Sequence, residues 1–122
     1  MENVALLIVG HGSRLAEAVA AFNQLVEAVA QRGAYARVIG AHLEFSRPDI
    51  TSAVKALRAE GYSQVRVLPY FLYDGKHTRH DIPEILREIG FLFPEMHFSI
   101  ARPLGFDEAF VEILLKRAQE TK

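Results

Sequence analysis

The sequence contains no cysteine, and it has no excess of basic residues. Without cysteine the chain can form no disulfide bond, no thiolate metal site and no cysteine nucleophile. Its 14 lysine and arginine residues are balanced by 15 acidic residues, so the formal net charge is −1. Proteins that hold nucleic acid mainly through phosphate contacts usually carry a basic excess, and we therefore expect no nucleic-acid partner.

Long hydrophobic runs are also missing. The first apolar run covers residues 4–9, which is far too short to span a bilayer. Glu2 stands where a signal peptide would carry basic residues, so we expect a cytoplasmic protein with no membrane association. Hydrophobic residues make up 50% of the 122 residues, enough for the core of one compact domain over residues 1–122.

What the sequence does contain is a strand pattern followed by a helix pattern, repeated along the whole chain. Apolar segments rich in Val, Ile and Leu predict strands over residues 4–9, 36–45, 64–72 and 96–101. Apolar residues at helical spacing predict helices over residues 15–32, 48–60, from 81 onward and over 106–119. This alternation predicts a single α/β domain, a four-stranded parallel sheet with helices on both faces.

Local signals predict where individual helices begin and end. Ser46 or Arg47 is expected near the cap of the second helix, with Pro48 in its first turn. Gly33 is expected to end the first helix in the left-handed conformation, and Gly61 is expected to end the second helix. Asp81 is expected to cap the third helix.

Polar residues cluster at one predicted edge of the sheet. Ligands of parallel sheets bind beyond the carboxyl ends of the strands. His11 follows the first strand, and His42 and Glu44 end the second, two positions apart and therefore expected on one face. His77 lies in the loop after the third strand, so His11, Glu44 and His77 are expected to converge in space. His97 starts the fourth strand, at the opposite edge, and is assigned no role.

Each of these residues has a second interpretation. His11, between two glycines, is either a metal ligand or proton acceptor, or a loop histidine that caps the next helix. Glu44 is either a functional carboxylate or a solvated residue at a strand end, and His42 is either a ligand or a packed histidine. The glycine-rich turn before the first helix is a weak anion-binding signal, to which Ser13 and Arg14 contribute.

The loop after the third strand is long and charged. An exposed charged loop is the commoner case, but long connections in compact folds are usually functional. Lys76 and Arg79 flank His77 and are suited to bind the carboxylates of an acidic substrate, Lys as a point charge and Arg as a fork. Arg102, after the fourth strand, is a further candidate for this role.

Three segments stand in order along nearly the full chain. They are Gly10-His11-Gly12-Ser13-Arg14, then Leu43-Glu44-Phe45 with Pro48, then Pro69-Tyr70-Phe71-Leu72 continuing to Gly75-Lys76-His77 and Asp81-Ile82-Pro83. His-Gly-Ser-Arg by itself is a weak motif. Together the three segments are quite specific, and they resemble the small CbiX-type sirohydrochlorin chelatases.

The resemblance implies a class II chelatase fold with flavodoxin-like strand order, in a half-size domain that forms its cleft as a homodimer. It implies that His11 and His77 hold the metal and that Glu44 is the active-site acid. The implied reaction inserts a divalent metal, cobalt first and iron or nickel as alternatives, into sirohydrochlorin or a related tetrapyrrole of cobalamin or siroheme biosynthesis. The metal is a substrate, and no nucleotide or tightly bound cofactor is expected.

Four side chains are the expected binding residues for the carboxylates of the tetrapyrrole: Ser13, Arg14, Lys76 and Arg79. The chain departs from the usual family pattern at several positions. Asp74 and Lys76 stand where small residues are common, Arg47 where an acid is frequent and Asp49 where Ser is frequent. Both metal-site histidines are intact, so the implied chelation survives these changes.

Two other functions would use the same residues. A divalent-metal carrier or sensor would bind metal through the same histidines without catalysis, although a carrier needs no basic loop for an acidic substrate. A phosphate-ester enzyme with His11 as its nucleophile ranks last, because such enzymes need an arginine before the histidine and Gly10 stands there.

Overall fold

The computed structural model describes residues 3–121. In this part of the chain one sheet contains the strands β1 (Val4–Gly10), β2 (Arg37–His42), β3 (Gln64–Pro69) and β4 (His97–Ile100). The strand order is β2-β1-β3-β4, and every neighbouring pair is parallel. The continuously apolar β1 occupies a central position and is buried from Ala5 onward. The predicted four-stranded parallel sheet with flavodoxin-like order is therefore confirmed.

The helices α1 (Ala16–Gln31), α2 (Ile50–Ala59), α3 (Ile82–Leu92) and α4 (Glu108–Gln119) follow the strands in turn. Alternation along β1 divides the core between the two faces of the sheet. Leu6 and Ile8 pack with Phe22 of α1 on one face. Leu7 and Val9 pack on the other face against buried residues of α2 and α3. The predicted helices on both faces are present. No helix in residues 3–121 is long and apolar enough to cross a membrane.

Two predicted strands end earlier than the apolar pattern suggests. β2 ends at His42 rather than Phe45, and β3 ends at Pro69 rather than Leu72. The residues beyond these ends stay apolar because part of them still covers the core, as Leu43 and Phe71 do. The expected alternation from His42 to Glu44 is therefore wrong, because the chain leaves the sheet between the two residues.

The start of α2 also differs from the prediction. Asp49 is its N-cap, and the Asp49 carboxylate accepts a hydrogen bond of 2.8 Å from the backbone N–H of Ser52. Ser46 is not the cap because its hydroxyl is bonded to Ser13 of the neighbouring connection, and Pro48 precedes the helix. Gly61 follows the end of α2 as expected, and Gly33 adopts the predicted left-handed conformation after α1, with φ of +71°.

The segment before α3 contains regular structure that the sequence did not reveal. Residues His77–Asp81 form a π-helical turn that continues directly into α3. Asp81 has helical backbone angles and makes no capping hydrogen bond, so its expected role as a helix cap is wrong. The physical reason is that the helical chain already begins upstream, which makes Asp81 an interior residue. π-helical turns of this kind occur frequently at functional sites.

Candidate active site

The carboxyl edge of the sheet brings together three side chains from three different connections. His11 follows β1, Glu44 lies in the turn after β2, and His77 begins the π-helical turn after β3. The ring centroids of His11 and His77 are 5.0 Å apart. Nε2 of His11 lies 3.5 Å from Oε2 of Glu44. These are the residues that the strand order was expected to bring together.

Backbone contacts between the first two connections hold Glu44 beside His11. Gly12 has φ of +94°, and a Cβ at this position would overlap the carbonyl oxygen of Glu44. The backbone N–H of Glu44 donates to the carbonyl of His11 at 2.9 Å. The hydroxyl of Ser46 donates a hydrogen bond of 2.7 Å to the carbonyl of Ser13. The same hydroxyl accepts a hydrogen bond of 3.2 Å from the backbone N–H of Ser13. The glycine is therefore required for this close approach.

The second histidine is oriented by a carboxylate one helical turn away. Nδ1 of His77 lies 2.7 Å from Oδ2 of Asp81, and Nδ1 of His80 lies 2.9 Å from Oδ1 of the same carboxylate. Hydrogen bonds from His80 and His77 hold the pKa of the Asp81 carboxyl below its ordinary value. An ionised carboxylate accepts hydrogen bonds, so the proton of a neutral His77 ring sits on Nδ1 and the lone pair on Nε2.

His11 presents the same nitrogen to the site. Its Nδ1 lies 3.3 Å from the carbonyl oxygen of Gly12, which can only accept a hydrogen bond. Its Nε2 lies 3.5 Å from Oε2 of Glu44, so both ring nitrogens of His11 face acceptors. Imidazole nitrogens suit a divalent transition metal, and His11 and His77 place two imidazole rings side by side, with centroids 5.0 Å apart.

The loop that carries His77 is stiffened by a buried threonine. Thr78 is only 7% exposed. Its hydroxyl donates to Oδ1 of Asp74 at 2.8 Å and accepts from the N–H of Gly75 at 2.9 Å. Asp74, a departure from the family pattern, thus has a structural role in this loop.

The predicted carboxylate-binding residues are distributed around the histidines. The guanidinium of Arg14 lies 4.5 Å from the centre of the Phe45 ring. Lys76 is exposed and directly precedes the π-helical turn. Arg79 is also exposed, with its guanidinium 3.6 Å from the carboxylate of Asp74. The hydroxyl of Ser13 accepts a hydrogen bond of 3.0 Å from the N–H of Leu15, so this side chain supports the start of α1.

His42 belongs to the core rather than to the site. The residue is 3% exposed, and its ring packs against Phe22 with centroids 4.9 Å apart. Burial lowers the pKa of His42, so the neutral ring is favoured. Of the two interpretations drawn from the sequence, the packed histidine is the one that the structure supports. His97 lies at the start of β4, at the opposite edge of the sheet, as predicted.

A cavity of about 230 Å³ opens beside His11, with Gly12, Phe22 and Tyr70 among its walls. Within residues 3–121, no three His, Asp or Glu side chains are arranged as the ligands of a single ion. A metal held by the two histidines would therefore take its remaining ligands from water or from a bound substrate. A site of this kind is open on one side, as transfer of the metal requires.

Asp81 and Phe45 both stand in the sequence segments named above, but they were not predicted to belong to the site. Asp81 stands four positions after His77, a helical spacing that brings side chains together, and this spacing was a usable signal. Phe45 lies 6.1 Å from His11, measured between ring centroids, and nothing in its sequence context indicated that it would be exposed beside the histidines.

Comparison with known proteins agrees with the geometry. The chain is 33% identical to the sirohydrochlorin cobaltochelatase of Saccharolobus solfataricus over 97% of this chain and 95% of that protein. The crystal structure of the sirohydrochlorin chelatase SirB from Bacillus subtilis subspecies spizizenii in complex with cobalt matches with a TM-score of 0.90, at 28% identity over 96% of this chain and 50% of that one. Bacillus subtilis SirB with Fe³⁺ matches with a TM-score of 0.87, at 27% identity over 98% of this chain and 48% of that one.

The chain thus spans about half the length of each SirB structure. The model of the CbiX family matches residues 5–121, nearly the whole chain. This match and the archaeal relative confirm the resemblance that the three sequence segments indicated. The chain belongs to the CbiX family.

Proposed function

We propose that this protein is a chelatase that inserts a divalent metal into sirohydrochlorin or a closely related tetrapyrrole of cobalamin or siroheme biosynthesis. Co²⁺ is the first candidate metal, and Fe²⁺ and Ni²⁺ are the alternatives. The observation that carries the proposal is the pair of His11 and His77 rings, 5.0 Å apart with Glu44 beside them, in a chain of the CbiX family. The relatives named above act on sirohydrochlorin or hold cobalt or iron.

The reaction requires an exchange of ligands and a loss of protons. The ion must give up its water ligands and accept four pyrrole nitrogens, and the macrocycle must release two pyrrole protons. Neutral imidazole suits Co²⁺, Ni²⁺ and Fe²⁺, and a pair of imidazoles binds weakly enough to let the ion leave. Imidazole is also the side chain that most readily takes up a proton near neutral pH.

The geometry supports a separate role for each residue. His11 and His77 hold the incoming metal through Nε2 and accept pyrrole protons as the metal leaves. Glu44, 3.5 Å from His11, offsets the charge of the dication and stabilises a protonated imidazole. Asp81 keeps the His77 ring in one orientation, as carboxylates commonly do for metal-binding histidines.

The substrate carries many carboxylates, and exposed basic side chains surround the histidines. Arg14 and Lys76 stand on the first and third connections and can meet these carboxylates from two sides. Arg79 is engaged with Asp74 and would have to exchange this partner for a substrate carboxylate. The metal enters the reaction as a substrate, and no tightly bound cofactor is part of the proposal. The cytoplasmic location expected from the sequence stays a prediction.

The proposal includes a homodimer. α4 buries none of its residues, although Leu114 and Leu115 on it are apolar and are 70% and 55% exposed. An amphipathic helix of a globular protein normally packs its apolar face against another element. A further cavity of about 270 Å³ connects Leu114 with Tyr73, close to the loop that carries His77.

A second copy of the chain is the partner that fits this surface best. Symmetric dimers are the commonest oligomers. The SirB chains are about twice as long as the part that matches this chain, so they have room for a second half of similar size. A tetrapyrrole is a broad disc, and ligands of that size bury most of their surface in a concave site. A second subunit would supply the wall that the open edge of one sheet lacks.

An absorption assay tests the proposal directly. The protein is mixed anaerobically with sirohydrochlorin and with Co²⁺, Ni²⁺ or Fe²⁺ in turn, and the spectrum of the macrocycle is followed against a reaction without protein. We expect faster metallation with at least one of the metals. Tight metal binding without faster metallation would instead identify a carrier or sensor.

A further inference from the structure

Phe45 is an exposed aromatic residue with no role in the core. Its side chain is 56% exposed, and it belongs to neither of the two hydrophobic clusters of the described residues. It stands directly after Glu44, and its ring centroid lies 6.1 Å from that of His11. A large apolar side chain left in solvent at a candidate active site requires an explanation beyond stability.

The backbone of Phe45 has an unusual conformation. Its φ is +65°, and among residues 3–121 the only other residue besides glycine with positive φ is Asn3. Bulky residues are rare in this left-handed region and persist there where the surroundings impose it. Asn tolerates the conformation, but Phe gains nothing from it in backbone energy. The surroundings of Phe45 must therefore hold this conformation in place.

The neighbouring residues impose this conformation. The N–H of Ser46 donates to the carbonyl of Glu44 at 2.7 Å, which closes a tight turn around Phe45. The hydroxyl of Ser46 is bonded to the backbone of Ser13, and the carbonyl of Glu44 packs closely on Gly12. Both ends of the turn are thus tied to the connection that carries His11. This arrangement fixes the Phe45 ring relative to the histidine.

Arg14 completes the arrangement. Its guanidinium carbon lies 4.5 Å from the centroid of the Phe45 ring, within the range of a cation–π contact. Because Arg14 covers one face of the Phe45 ring, the solvent-exposed part of Phe45 consists of the other face and the edges of the ring. The pair therefore combines one open aromatic face with a positive charge held against the opposite face of the same ring.

We propose that Phe45 and Arg14 form a substrate-binding platform, on which Phe45 stacks against a pyrrole ring of the macrocycle and Arg14 binds a carboxylate at its rim. This inference rests on the proposed chelatase function and specifies how its substrate is held. A flat conjugated ring stacks on an aromatic face, and a guanidinium binds a carboxylate in a fork. The Phe45 ring centroid lies 6.1 Å from that of His11, so a macrocycle stacked on Phe45 is held beside the histidine that delivers the metal to the macrocycle's central nitrogens.

Substitutions of Phe45 test the platform by binding as well as by turnover. We expect Phe45→Leu to weaken binding of metal-free sirohydrochlorin about tenfold in a fluorescence titration, a change of the size that aromatic stacking supplies. KM for the tetrapyrrole should rise, while kcat and the affinity for Co²⁺ alone stay near wild type. Phe45→Tyr keeps the ring and should restore binding. Phe91→Leu removes an aromatic side chain that is 76% exposed on α3, and it serves as the matched control with unchanged binding.

Substitutions of Arg14 test the charged part of the platform. Arg14→Gln should weaken sirohydrochlorin binding and make it less sensitive to salt, because a screened charge pair is lost. Arg47→Gln removes another exposed arginine on the connection between β2 and α2, and it should leave both quantities unchanged. Circular dichroism of every variant verifies the fold.

The outcomes separate this inference from the function on which it rests. Unchanged sirohydrochlorin binding by Phe45→Leu in a protein that inserts metal would overturn the platform and leave the chelatase intact. Weakened binding in a protein that never accelerates metallation would support the platform and overturn the chelatase. A loss of the dimer in Phe45→Leu, seen by light scattering, would assign Phe45 to a subunit contact and also overturn the platform.

Discussion

The imidazole rings of His11 and His77 meet edge to face, with centroids 5.0 Å apart and planes inclined by 64°, although they follow different strands of the sheet. β1 and β3 are direct neighbours, so the connections at their carboxyl ends start side by side. Each ring has its Nδ1 against an acceptor, Gly12 for His11 and Asp81 for His77. Nε2 of His77 is thereby left for a ligand, and Nε2 of His11 lies 3.5 Å from Oε2 of Glu44.

Removal of either imidazole should impair insertion. We expect His11→Ala and His77→Ala each to reduce the rate of metal insertion at least about a hundredfold, the scale of losing a proton-transfer group. His97→Ala, at the opposite edge of the sheet, should keep the wild-type rate. Initial rates with Co²⁺ and sirohydrochlorin give the comparison. Near wild-type rates in both active-site variants, with intact circular dichroism, would contradict the roles assigned here.

Glu44 should act in the chemical step rather than in binding. We expect Glu44→Gln to slow insertion and to leave the dissociation constant of metal-free sirohydrochlorin largely unchanged. The amide keeps the shape of the side chain, but it neither offsets the charge of a dication nor accepts a proton. Glu88→Gln, an exposed position on α3, is the control. If binding collapsed while turnover per bound substrate stayed the same, Glu44 would be a clamp for the substrate.

Asp81 should act through His77. We expect Asp81→Asn to lower Co²⁺ affinity or insertion about 10- to 100-fold, as is typical when the hydrogen-bond partner of a metal-binding histidine is lost. His80→Ala is the matched control, because it removes the other partner of Asp81 and keeps the contact with His77. Equal effects of the two substitutions on Co²⁺ affinity would show that the contact between Asp81 and His77 has no special role.

The lowered pKa of the Asp81 carboxyl predicts that its own titration does not affect Co²⁺ binding near neutral pH. Its pKa is lowered in the folded protein by hydrogen bonds from His80 and His77. The ionised form that orients His77 is therefore fully present at neutral pH and above the ordinary value of 3.8, and it is lost only as the pH falls through the lowered folded value. The pH profile of Co²⁺ affinity near neutrality should thus show no titration of this carboxyl.

The layout of the site could be predicted from the sequence, whereas its fine geometry could not. The alternation of strands and helices determines which connections share an edge, and this was sufficient to place His11, Glu44 and His77 together. The expected capping role of Asp81 rested on a local rule that fails once the helical chain starts upstream. The conformation of Phe45 depends on hydrogen bonds to a connection distant in sequence, so no local pattern indicates it.

Asp49 is the N-cap of α2, and its contribution to the stability of the fold can be measured. We expect Asp49→Ala to lower the free energy of unfolding by about 1 kcal/mol, the usual effect of losing an N-cap side chain. Asp49→Asn keeps an acceptor for the N–H of Ser52 and should cost less. Urea denaturation measures both changes. A loss in Asp49→Asn as large as in Asp49→Ala would mean that charge, rather than capping, is what matters.

The sign of the pH effect at Asp49 follows from its lowered pKa. Hydrogen bonds from Ser52 lower the pKa of this carboxyl below 3.8 in the folded state. Its contribution to stability is therefore fully present above the unfolded value and is lost as the pH falls through the folded one. Asp49→Asn removes this titration, so the free energy of unfolding of the variant should decrease less on acidification than that of the wild type.

The exposed apolar face of α4 should hold two subunits together. Leu114 is 70% exposed on this helix. We expect Leu114→Glu to convert the dimer to a monomer and to reduce metal insertion, because burial of an unpaired charge at a subunit contact is strongly unfavourable. Gln119→Glu adds the same charge at a polar position of the same helix and should keep both the dimer and the activity. Light scattering at the protein concentration of the assay measures the mass of each variant. A wild-type monomer with full activity would show that one chain forms a complete site, and the face of α4 would then need another explanation.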